Sequence, residues 1–366
     1  MSPQCDANRL TAVVTWSIGF INQGKNMIST QAIDRTSTNE GISIIEEDSQ
    51  EAGFRFSVIW GLIALASIVL LGIFVPSGLM LLGFLAVIVS THEAGHYFAA
   101  KRGGILPTEF FWGFGPEVIS FEKNGCRYGI KVLALGGYVK LEGMANSSEL
   151  PDGFKEEDTF RSASHRARLW TILAGPAVNL VSAFTAFMVV ALMKGESFLS
   201  SILKGFEGTW FVIVVTVEAL GGLVTNIGGY TNSIFGDLSD TPVRFASFLV
   251  QANISQNVVN NGISPSLFWF GILSCAIGIL NLLPLPPLDG FHAFAAVTEG
   301  IVQKVFKKEN YKFNSKKFLP VAYVTVAALI LLSLSALIMD YRSFRNGEFV
   351  IEQSMSQEVK VKNEKI

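Results

Sequence analysis

The sequence predicts a polytopic α-helical membrane protein with about five transmembrane helices, six if one ambiguous stretch also crosses, and a small membrane-associated β-hairpin sheet. Half of its 366 residues are hydrophobic and only 16% are charged, against about 25% charged in an ordinary soluble protein. No charged residue occurs from Phe56 to Thr91, although a single crossing needs only about 20 residues. Further long charge-free stretches follow, so lipid rather than water is the solvent for most of the chain.

Taken in order, residues 1–55 are polar and poorly patterned, and are expected to be disordered or peripheral. They show no basic start followed by a small-residue cleavage site, so a cleaved signal peptide is not expected. The charge-free run divides at Val75-Pro76-Ser77-Gly78, a turn signal, into an additional span over 56–75 and a second span over 78–100. The second span opens a catalytic-type core over 78–193, which ends in a third span, Leu169–Met193. Between these two spans, Val118 to Val139 alternates in polarity and turns at Asn124-Gly125, which predicts a β-hairpin.

Residues 194–264 are expected to be extracytoplasmic or re-entrant. Within them Thr209–Phe235 holds Glu218 and many glycines, which suggests an interfacial or re-entrant segment rather than a plain crossing. A fourth span, roughly Leu267–Leu288, lies in a unit over 265–317 together with a basic loop. A last span occupies 318–340, and a polar tail covers 341–366.

Loop charges set the expected orientation. Ten Lys and Arg lie between Lys101 and Arg168 and six between Lys304 and Lys317, against three between Lys194 and Arg244. By the positive-inside rule the two basic loops face the cytoplasm. The net charge of −2 gives no reason to expect a nucleic-acid partner. Cys5, Cys126 and Cys275 are widely spaced, which supports neither a disulfide framework nor a thiolate metal site. Nothing in the sequence fixes an oligomeric state.

The chemistry concentrates late in the second span, at His92-Glu93-Ala94-Gly95-His96. Positions i and i+4 share a helix face, so both imidazoles can reach one metal ion with Glu93 beside them. Composition alone gives this spacing in roughly one of 400 such sequences. Three ionisable groups inside an apolar helix are costly unless a strong partner compensates them, and a cation is such a partner. A catalytic zinc site needs a third protein ligand and an open position. Asp289 is the best candidate, since it ends the fourth span in Asn281-Leu-Leu-Pro-Leu-Pro-Pro-Leu-Asp289-Gly290, where three prolines force the helix open. At 1.5 Å per residue, His92 and His96 lie about 7–13 Å from the cytoplasmic end of their span and Asn179 about 15 Å into its own. Asp289, at the end of the fourth span, falls in the same layer.

At these residues the chain resembles the site-2 protease family, intramembrane zinc metalloproteases of the bacterial sigma-factor-regulator type. The resemblance rests on HEAGH, WGFGP at 112–116, LGGYVKLEGM at 135–144, AGPAVNL at 174–180 and NLLPLPPLDG at 281–290, in that order. It implies zinc held by His92, His96 and Asp289, Glu93 as catalytic base, and Asn179 and Asn281 holding substrate or oxyanion. The two amides have a second reading as helix-to-helix glue. The resemblance also implies membrane-protein substrates, such as anti-sigma factors or remnant signal peptides, and a bacterial cytoplasmic membrane with the site toward the cytoplasm. It further implies a membrane-associated sheet whose edge could take up a substrate strand; the other reading is a hairpin that only packs on the membrane face. Residues 194–208 leave no room for the PDZ domain of many family members, Phe291 stands where a second glycine often follows the aspartate motif, and His292 reads as a neighbour of the site rather than a ligand. The rival classes are a zinc transporter and an inactive zinc-binding scaffold. A transporter would spread ionisable groups across the membrane, and a scaffold would have no use for Glu93.

Overall fold

The structure is a computed structural model that describes residues 55–74, 76–144, 150, 154–235, 246–308 and 311–345. The expectations for residues 1–54 and for most of the C-terminal tail lie outside these. The order of elements is β1 (Arg55–Phe56), α1 (Val58–Phe74), α2 (Pro76–Arg102), β2 (Pro107–Lys123), β3 (Cys126–Leu141), α3 (His165–Met193), α4 (Phe198–Thr225), α5 (Ile227–Phe235), α6 (Phe248–Asn260), α7 (Ile263–Asn281), α8 (Asp289–Val305) and α9 (Leu319–Arg345).

Among the described residues five helices are long and apolar enough to cross a membrane, namely α2, α3, α4, α7 and α9. The number matches the sequence expectation but the membership differs. The expected additional span at 56–75 is α1, of only 17 residues, about 26 Å long against a hydrocarbon thickness of about 30 Å. Its first residue is lost to β1, where Phe56 lies opposite Ile119. Thr209–Phe235, expected as re-entrant or interfacial, takes in the second half of α4 and all of α5, which part at Asn226 (φ −122°, ψ 41°). Upstream of that stretch, two glycines of α4 are packing notches against α3. A Cβ on Gly205 would meet Phe184 at 2.8 Å, and one on Gly208 would meet Phe187 at 2.9 Å.

Helix packing follows the buried stripes. In α2 the buried residues Leu81, Ile88, His92, Gly95, His96 and Ala99 share one face. The upper part of that face meets α6 and α7 through Leu81, Ile88, Ala252 and Leu273. Its lower part crosses α3 at backbone distance, since a Cβ on Gly95 would lie 2.7 Å from the Ala174 carbonyl oxygen. Ala183, Phe187, Val212 and Cys275 close a second core between α3, α4 and α7. Capping is conventional at α3, where the Ser164 hydroxyl accepts from the Ala167 N–H at 3.2 Å.

The predicted hairpin is present and longer than expected. Asn124 (φ 53°) and Gly125 (φ 71°) make the two-residue turn, with Lys123 opposite Cys126. Beyond the turn β2 and β3 fold back together, so Phe111 lies opposite both Gly129 and Tyr138. Residues 137–141 pair only with the first half of β2, which leaves their other side as the sheet's open edge among the described strands. β1 covers the opposite edge.

One buried ion pair ties α3 to α8. The Arg168 and Glu299 side chains are 6% and 1% exposed and meet at 2.7 Å, while the other Glu299 oxygen accepts the Phe313 N–H at 3.1 Å. Burial alone would raise the Glu299 carboxyl, but the Arg168 guanidinium and the Phe313 N–H together hold it below its ordinary value. Glu299→Ala is expected to destabilise the solubilised protein by about 3–5 kcal/mol, because Arg168 is left buried and unpaired. A carboxylate with a depressed native value stabilises fully above its unfolded pKa of about 4.3 and loses that contribution below it. The gap between wild type and variant in denaturant unfolding should therefore be widest near neutrality and narrow as pH falls below about 4.

Candidate metal centre

Three side chains converge where α2, α3 and α8 meet. His92 Nε2 lies 3.0 Å and His96 Nε2 3.3 Å from Asp289 Oδ2, and the two Nε2 atoms are 3.1 Å apart. Helix α2 supplies both imidazoles because residues four apart stack on one face. Asp289 arrives differently from the expectation. The fourth span ends at Asn281, and Asp289 opens α8 rather than closing α7. The prolines at 284, 286 and 287 hold the intervening stretch out of helix, as their missing N–H groups require. Gly290 then lets the chain turn closely, since a Cβ there would fall 2.2 Å from the Leu282 carbonyl oxygen.

The donor set fits a divalent cation. His96 Nδ1 lies 2.8 Å from the Thr171 carbonyl oxygen, so that nitrogen carries the proton and the Nε2 lone pair of a neutral ring points at the cluster. A bare Nε2, a second imidazole nitrogen and a carboxylate oxygen would otherwise crowd lone pairs together. Ligands about 2.0–2.1 Å from a tetrahedral centre stand about 3.3–3.4 Å from one another, close to the spacings found here. Among the described residues these three are the group that could hold a metal, and His292 is outside it.

Gly175 makes the space. A Cβ there would lie 2.3 Å from His96 Nε2 and 2.8 Å from His92 Nε2. The approach of α3 to α2 is close here, and the atoms approached are the two donor nitrogens. Thr171 escaped the sequence reading altogether, because its contribution is a main-chain carbonyl.

Asn281 and Asn179 both belong to this layer. Asn281 Nδ2 lies 3.5 Å from His92 Nε2. Asn179, one turn beyond Gly175, is fully buried, and neither its Oδ1 nor its Nδ2 has a hydrogen-bond partner. It packs on α7, where a Cβ on Gly278 would meet Asn179 Cβ at 3.0 Å. A buried amide serving only as helix glue would be expected to hydrogen-bond across the interface.

Glu93 faces the open edge of the sheet. A Cβ on Gly137 would lie 3.3 Å from Glu93 Cγ and 3.3 Å from Val89 Cγ1, and the titratable side chains that act on Glu93 electrostatically are His96, His92 and Asp289. The neighbouring Tyr138 hydroxyl donates to Glu109 at 2.5 Å and accepts from Lys131 at 2.8 Å. Burial, then the Glu109 hydrogen bond, pushes the Tyr138 phenol well above its ordinary range. It remains a neutral donor that pins the edge strand to β2.

The model of peptidase family M50 matches residues 80–332. A Brucella suis protein whose name provisionally makes it a zinc metalloprotease is 33% identical over 132 residues, covering 34% of this chain and 35% of that one. The zinc metalloprotease Rip1 of Mycobacterium tuberculosis is 32% identical over 113 residues, 30% of this chain and 28% of Rip1. A Campylobacter jejuni protein with a similarly provisional name is 24% identical over 339 residues, 69% of this chain and 89% of its own length. The chain thus matches about a third of the length of the Brucella relative.

Proposed function

The chain belongs to peptidase family M50, the site-2 protease family, and from that premise we propose that it is a zinc-dependent endopeptidase that cuts peptide bonds inside membrane-spanning segments. The observation that carries this is the meeting of His92 Nε2, His96 Nε2 and Asp289 Oδ2 within 3.0–3.3 Å, with Glu93 alongside. Those three atoms would hold the zinc. When bound, it supplies a Lewis acid that lowers the pKa of water to about 7 and polarises the scissile carbonyl.

The remaining steps belong to side chains. Glu93 takes the proton of the attacking water and passes it to the departing amine. The Thr171 carbonyl holds His96 in the tautomer that leaves Nε2 free. Asn281 and the unpartnered amide of Asn179 offer donors to the substrate carbonyl and backbone. The open edge at 137–141 can add the substrate as a further strand, which draws its backbone out of helix and lays it beside Glu93.

The substrates of this reading are single-span membrane proteins, such as anti-sigma factors or remnant signal peptides, cut in regulated intramembrane proteolysis. The setting is a bacterial cytoplasmic membrane, with the site toward its cytoplasmic side. A substrate helix must unwind before attack, and each Gly in it saves about 1 kcal/mol relative to Ala. Replacing two such residues by Ala in a single-span substrate, co-reconstituted with the purified chain, is expected to slow cleavage roughly 25-fold. Cleavage at an unchanged rate would refute entry by unwinding; no cleavage of any membrane-spanning substrate would refute the activity.

A further inference from the structure

Helix α8 begins with Asp289 and has two unlike faces. Phe291, Ala295, Ala296 and Glu299 are buried, Glu299 against Arg168 of α3 and Phe291 and Ala295 against Phe313 and Phe318. On the opposite side Phe294 is 47% exposed, Val297 44%, Ile301 52% and Val305 65%. Steps of three, four and four residues place them in one continuous stripe. The helix has 17 residues and carries Glu299 and Lys304, and it is not among the helices fit to cross a membrane.

The charge next to this stripe is of one sign. Residues 304–317 contain six lysines and a single acid, Glu309. Lys304, Lys307, Lys308, Lys316 and Lys317 are exposed, and among the described residues none of them is engaged in an ion pair. Lys307 occupies the left-handed position just past the helix end (φ 52°), where glycine is the usual residue. The sequence thus keeps a positive charge at a place that disfavours a side chain. An apolar stripe on a helix that does not cross, flanked by unpaired lysines, is built for a membrane surface of negative charge.

We propose that α8 lies in the plane of the bilayer surface, its Phe294–Val305 stripe in the headgroup–acyl boundary and its lysines on anionic lipid headgroups. Because Asp289 opens this helix, the lipid surface also sets the seat of one of the three converging donors; that consequence alone rests on the metal-site reading.

The test is site-directed spin labelling of the full chain in Cys5→Ser and Glu93→Gln background, since Cys126 and Cys275 are buried. Single labels replace Ile301, Val305 or Lys308 in vesicles of phosphatidylcholine with or without about 30% phosphatidylglycerol. Labels at 301 and 305 are expected to collide with dissolved oxygen and to be shielded from a water-soluble nickel chelate, with the label at 308 the reverse. The shielding should deepen in the anionic vesicles, and Lys304→Glu with Lys307→Glu and Lys308→Glu should abolish that deepening. Nickel access at 301 and 305 in both vesicles overturns the proposal, as does shielding from both reagents, which would place protein on the stripe. Depth indifferent to lipid charge overturns the lipid headgroup assignment. None of these readings depends on catalysis, so a failure of the protease reading leaves them intact.

Discussion

Glu93→Gln is expected to abolish measurable cleavage, a loss of about 10²–10⁴-fold, while the purified protein keeps one equivalent of zinc. The glutamine has nearly the same volume and keeps the contact with the sheet at Gly137, so α2 has no reason to move. The three donor atoms come from His92, His96 and Asp289, none of which is altered. What disappears is the one acceptor able to take a proton from water beside the metal. Zinc content by elemental analysis and single-turnover cleavage of a reconstituted substrate separate the outcomes. Cleavage that persists removes Glu93 as the base, and loss of zinc would make it a ligand instead. A zinc-binding scaffold with no activity would show no difference between wild type and variant.

The chemistry of this protein was more legible in its sequence than its architecture. Three ionisable groups in an apolar helix have few physical solutions, so His92, Glu93 and His96 pointed to a metal without knowledge of their neighbours. The Asn124-Gly125 turn likewise named its hairpin, because two adjacent residues of positive φ leave few alternatives. Crossings were harder to read, since composition reports solvent but not where a helix stops. Residues 56–75 are uniformly apolar, yet the first belongs to β1, and what remains is a 17-residue helix. Glu218 and the glycines at 221, 222, 228 and 229 made 209–235 look broken, although α4 runs without interruption to Thr225 and the exposed Glu218 interrupts nothing.

Three features of the site were invisible in the sequence for a common reason: they are properties of backbone position. The Thr171 carbonyl oxygen orients His96 whatever its side chain does. Asp289 was expected at the end of a helix and stands at the start of one, a difference that turns on how the proline stretch folds. The edge expected of the sheet falls at 137–141 because β2 and β3 fold back on each other, a placement that the alternation of polar and apolar residues does not specify.

Gly175→Ala is the second large effect, and it separates fold from site most sharply. In an ordinary helix interior the change favours the folded state by about 1 kcal/mol, because alanine restricts the unfolded chain and glycine does not. Here the added methyl carbon would sit 2.3 Å from His96 Nε2 and 2.8 Å from His92 Nε2, inside any permitted contact. His96 cannot rotate away without giving up the Thr171 carbonyl, and α3 cannot retreat without opening its contact with α2 at Gly95 and Ala174. The imidazoles must therefore lose their shared focus. Zinc is expected to fall below about a tenth of an equivalent and cleavage with it, which corresponds to at least about 1.4 kcal/mol of lost binding at limiting metal. The helical content of the metal-free protein should be kept, and its unfolding midpoint should stay level or fall modestly, because the forced contact offsets the propensity gain. Full zinc occupancy in this variant would mean that the donors are not where α3 passes closest to α2, and the metal centre would have to be sought elsewhere.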